Sequence, residues 1–74
     1  MPEEAVRQEL TVGPRRFATV YRPELEGGYS ALCPELGVAS QGETVEEAEA
    51  NLREAVELYL ELEKELESKE RVRR

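Results

Sequence analysis

Residues 27–62 read GGYSALCPELGVASQGETVEEAEANLREAVELYLEL: a Gly-Gly turn, two short extended segments and a helix that carries its own cap. Gly27 and Gly28 supply the positive φ of a tight turn without a Cβ penalty. Residues 29–33 then return as a strand, and Pro34, which has no amide donor, ends its ladder. After a bend at Glu35-Leu36-Gly37, residues 38–41 form a further short strand that Gly42 closes. Thr44 and Glu47 have capping-box spacing, so the helix is expected to start at Val45. Its apolar residues Val45, Ala48, Leu52, Ala55, Tyr59, Leu62 and Leu66 recur at 3-4-3-4-3-4 spacing, one stripe that must be covered.

Upstream of the turn, residues 15–22 alternate, with Phe17, Thr19 and Tyr21 on one side and Ala18 and Val20 on the other. This strand makes a hairpin with residues 29–33. Gly13-Pro14 separates it from residues 6–12, where Val6, Gln8, Leu10 and Val12 would share one side of another strand. Residues 1–4 are expected to fray. The chain therefore predicts one α+β domain, residues 1–74, with an antiparallel sheet and one long C-terminal helix on one face. The sheet has three strands, or four if residues 6–12 join it. Favourable pairs at Glu49–Arg53, Glu65–Lys69, Glu67–Arg71 and Glu70–Arg74 carry the helix to about residue 70. That is about 39 Å at 1.5 Å per residue, against strands of about 17–27 Å, so the helix should overhang the sheet.

A chain of 74 residues buries a small core. Cys33 is its one cysteine and it has no histidine, which excludes an intrachain disulfide and a structural zinc site. Stability must then come from the helix and from self-association. Val56, Leu58 and Leu60 widen the helix's apolar surface beyond what one sheet face covers. Ala18, Val20 and Leu32 put apolar groups on the sheet's second face as well. A homo-oligomer, dimer or tetramer, is expected, with Val56, Leu58, Tyr59, Leu60, Leu62 and Leu66 at its interface.

All 17 acidic residues are Glu, against eight Arg and two Lys, for a net charge of −7. Residues 43–67 alone hold ten Glu against Arg53 and Lys64, while residues 68–74 are basic. Such an acidic helix repels phosphate backbones and attracts a basic protein. The short basic tail of Arg71, Arg73 and Arg74 suits the negative end of the helix dipole, and nucleic acid is not an expected ligand. No apolar run reaches the length of a membrane span and no signal peptide is legible, so the cytoplasm is the expected compartment. Few Asn, Gln, Cys or Met residues are present, a mix that fits a thermophilic source.

Gly27-Gly28-Tyr29, Pro34-Glu35-Leu36-Gly37, Ser40-Gln41-Gly42-Glu43-Thr44, Glu46-Glu47-Ala48 and Asn51-Leu52-Arg53-Glu54-Ala55 together resemble the HicB-like antitoxin family. The turn, sheet-closing and helix-entry elements follow the family's order over more than half of the chain. The resemblance implies a truncated ribonuclease-H-like fold and a cytosolic role neutralising a small basic RNA-cleaving toxin of the HicA type. Family members usually add a C-terminal DNA-binding domain; with its last residue at Arg74, the chain looks like a stand-alone HicB domain. The family's Leu-Pro-Gly-Cys turn is replaced here by Leu36-Gly37-Val38-Ala39, so that cysteine's role does not carry over.

Catalysis is not expected. Ribonuclease-H chemistry needs clustered carboxylates around two metal ions, whereas the chain has no Asp and its central strands carry no acidic residue. Cys33 has no histidine to activate it and reads as a small buried apolar residue. Tyr21, Tyr29 and Tyr59 read as packing residues. No cofactor or metal is implied. The acidic residues Glu46, Glu49, Glu57 and Glu61 are the candidate partner-binding set, standing in for RNA phosphates before a toxin's basic groups. The rival reading is a self-assembling structural or regulatory module, without a toxin partner and sensing a small ligand.

Overall fold

The computed structural model describes residues 5–72, with side-chain surroundings for residues 5–67. The expected frayed terminus, the ion pairs that involve Lys69, Arg71 or Arg74, and the Arg71, Arg73 and Arg74 cluster lie outside that description. Four strands, β1 (Val6–Val12), β2 (Arg15–Pro23), β3 (Tyr29–Cys33) and β4 (Val38–Gly42), precede one helix, α1 (Val45–Val72). The sheet is an antiparallel meander in the order β1-β2-β3-β4, so residues 6–12 do join it.

Alternation decides which side chains meet the helix. Leu10 stands opposite Phe17, Tyr21 opposite Ala31, and Cys33 opposite Val38. From these rows Leu10, Phe17, Tyr21, Ala31 and Cys33 are buried beneath Ala48, Leu52 and Val56 of α1. Thr19 is the buried polar residue of this layer, and its hydroxyl donates to the Gln8 carbonyl at 3.2 Å. Two positions require glycine, one for its backbone conformation and one for space. Gly28 has φ +78°, the turn conformation expected of it. At Gly42 a Cβ would lie 2.5 Å from the Ala48 amide nitrogen, so only glycine lets the first turn of α1 sit this close to β4.

The helix is entered through the expected cap. The Glu47 amide donates to the Thr44 hydroxyl at 3.0 Å, while the Glu47 carboxylate accepts from the amide of Glu43, one residue ahead of the cap, at 2.8 Å. Further on, the Asn51 side-chain amide donates to the Gln41 carbonyl at 2.7 Å and Arg53 donates to the Thr11 carbonyl at 2.6 Å. These bonds tie one helix to both edges of the sheet.

The apolar stripe departs from expectation in its second half. Ala48 and Leu52 are buried, but Tyr59, Leu62 and Leu66 of the same stripe are 36%, 59% and 62% exposed. Val56, expected at a subunit interface, lies fully buried in the chain's own core, with Leu60 partly buried beside it. The covered residues Ala48, Leu52, Val56 and Leu60 recur every four, a row inclined to the helix axis, because α1 crosses the sheet obliquely, from β4 at Gly42 and Gln41 towards β1 at Thr11. Tyr59, Leu62 and Leu66 lie off that row and stay exposed.

Candidate partner-binding site

Past Leu60 the helix leaves the sheet, and a groove of about 770 Å³ opens between it and the β1–β2 turn. Its apolar lining comes from Val12 and Pro14 of the turn and from Leu58 and Leu60 of α1. The lining also carries Glu54, Glu57, Glu61, Glu63 and Glu67, with Arg15 and Lys64. Arg15 is turned inward, its guanidinium 4.9 Å above the centre of the Phe17 ring. The groove thus brings apolar side chains and exposed carboxylates together.

Of the four glutamates named from the sequence, the groove gathers Glu57 and Glu61. Glu46 is exposed near the start of α1, about 16 Å away along the helix, and takes no part. Glu49 is half-buried at the sheet's margin, 3.9 Å from Arg53. The sequence signals Glu54, which lies three residues before Glu57 and seven before Glu61 on the same side of the helix, but not Glu63 and Glu67, which have no such spacing. What brings all five to one groove is the position of the β1–β2 turn, which is not legible in the sequence. Among the described residues no three acidic or thiol groups converge to hold a metal ion, because the carboxylates are strung along the helix.

The opposite face of the sheet differs in sign. Arg7, Arg16 and Arg22 project there with Glu9, around Ala18, Val20, Leu32 and Ala39. Arg16 approaches Glu9 to 3.7 Å, an exposed pair of little energetic weight. Acidic helix and arginine-bearing sheet face make the molecule electrically two-sided. No described helix is long and apolar enough to cross a membrane.

Comparison with known proteins gives two similar chains, both UPF0150 proteins of Synechocystis sp.. One is 48% identical over 56 residues, covering 70% of this chain and 71% of the relative. The other is 49% identical over 37 residues, covering 49% of this chain and about half, 51%, of the relative. No family model and no solved structure matches the chain.

Proposed function

The chain belongs to the UPF0150 family, and from that premise we propose that it is a non-catalytic protein-binding domain of the HicB antitoxin kind, acting in the cytosol on a small basic RNA-cleaving toxin. The observation that carries the reading is the groove beside the overhanging helix. Five glutamates line it together with the apolar Val12, Pro14, Leu58 and Leu60, which suits a protein segment bearing both basic and apolar side chains. Such a segment on a ribonuclease is one that otherwise holds RNA phosphates. Occupying it would exclude the substrate without any chemistry by the chain itself.

The test is calorimetric titration of a purified HicA-type toxin with the full chain, at low and at moderate salt. Reversal of Glu57 and Glu61 to Lys is expected to weaken binding by about tenfold or more, and wild-type affinity should fall as salt rises. Reversal of Glu46, which lies outside the groove, should have a much smaller effect. Equal losses from Glu46→Lys and from the paired reversal, or no loss from either, overturn the groove as the binding site. The rival, a self-assembling module that takes no toxin, draws on the exposed Leu58, Tyr59, Leu62 and Leu66. A chain that assembles but leaves the toxin's RNA cleavage uninhibited would decide for it.

A further inference from the structure

Two surfaces of this molecule are left without a partner, and they are complementary. On α1, Leu58, Tyr59, Leu62 and Leu66 form a stripe over two to three turns, exposed by 56%, 36%, 59% and 62%. Their spacing places Glu61 and Glu65 along one margin of the stripe and Glu63 along the other. On the open sheet face, Val20 stands opposite Leu32, which is 41% exposed. Arg7 pairs in register with Val20 from β1, and Arg22 lies two residues along β2 on the same face. Among the described residues neither arginine has an ion-pair partner.

We infer that the leucine stripe of one copy packs across the open sheet face of a second copy, with its flanking glutamates against the second copy's Arg7 and Arg22. Charge selects this occupant over the simpler one. Stripe against stripe would set Glu61, Glu63 and Glu65 of two copies side by side, whereas stripe against sheet sets them beside arginines. Dimensions agree. Residues 61–72 extend about 18 Å beyond Leu60, enough to cross four strands spaced about 4.8 Å apart. The contact completes a common layering, a sheet with a helix on each face, and removes apolar surface from both sides at once. It makes no use of a toxin, but Leu58, Glu61 and Glu63 also line the groove described above, so assembly and toxin binding would compete for them.

The experiment is sedimentation velocity of the full chain without any partner, at about 0.1 M salt, where charges within roughly 10 Å still act on each other. The wild type is expected to assemble. Arg7→Glu with Arg22→Glu, and separately Glu61→Lys with Glu65→Lys, should each weaken assembly by about tenfold or more. All four changes in one chain restore the pairing with its signs exchanged and should recover assembly, which also proves that the variants fold. A monomeric wild type overturns the proposal. So does assembly that survives the arginine changes and tightens on the glutamate changes, the signature of helix against helix, and so does a four-fold variant that stays apart.

Discussion

At the scale of the residue, Tyr21 combines deep burial with a polar atom. It is buried completely, yet its hydroxyl oxygen has no hydrogen-bond partner. The Thr19 hydroxyl stands beside it but is given to the Gln8 carbonyl, and the two hydroxyls do not reach hydrogen-bond geometry. Burial raises the phenol above its ordinary value of 10.0, Thr19 pulling the other way. A Tyr21→Phe variant removes an unpaired polar atom and keeps the ring, so urea unfolding should find it about 1 kcal/mol more stable at neutral pH. The sign of the pH dependence follows from the raised value. The unfolded chain loses this proton near pH 10 while the folded one still holds it, so Tyr21's contribution is whole below pH 10 and declines as pH rises. Wild-type stability should therefore fall more steeply above pH 10 than that of the phenylalanine variant; parallel curves would contradict the burial argument. The ring's burial was legible from the alternation of residues 15–22, but its unpaired hydroxyl was not, since no local pattern tells what lies above a side chain.

At the scale of the element, helix α1 begins where its sequence says it should. Thr44→Ala removes the acceptor for the Glu47 amide and should cost about 1 kcal/mol, read as a lower midpoint in urea or heat. A cap needs only residues three apart in the chain, which is why Thr44 and Glu47 announced it. The direction of the apolar stripe was harder to read. Its 3.5-residue spacing is a local property too, but which part of it faces the sheet depends on how far the sheet extends under the helix. Spacing alone therefore puts Val56 at a subunit interface, whereas the structure buries it in the core and leaves Leu62 and Leu66 exposed.

At the scale of the whole molecule, the long axis of 54 Å against 22 and 17 Å reflects a helix that outruns its sheet. Among the described residues none beyond Leu60 is packed into the core. Deleting residues 64–74 should therefore change the stability of the dilute chain by less than about 1 kcal/mol, while abolishing self-association in sedimentation. Loss of the fold on this truncation would show that the overhang supports its own sheet. The amino-acid order by itself determined β2 to β4, the cap, the helix and its excess of glutamate, because turns, alternation and capping act between residues a few positions apart, whereas the pairing of β1 with β2 came from the tertiary structure. The tertiary structure alone decided that Glu57 and Glu61 share a groove that Glu46 and Glu49 do not, and that an arginine-edged sheet face lies opposite. Both depend on the placement of β1 and the β1–β2 turn beside a helix some 40 residues later, a separation over which local rules carry no information.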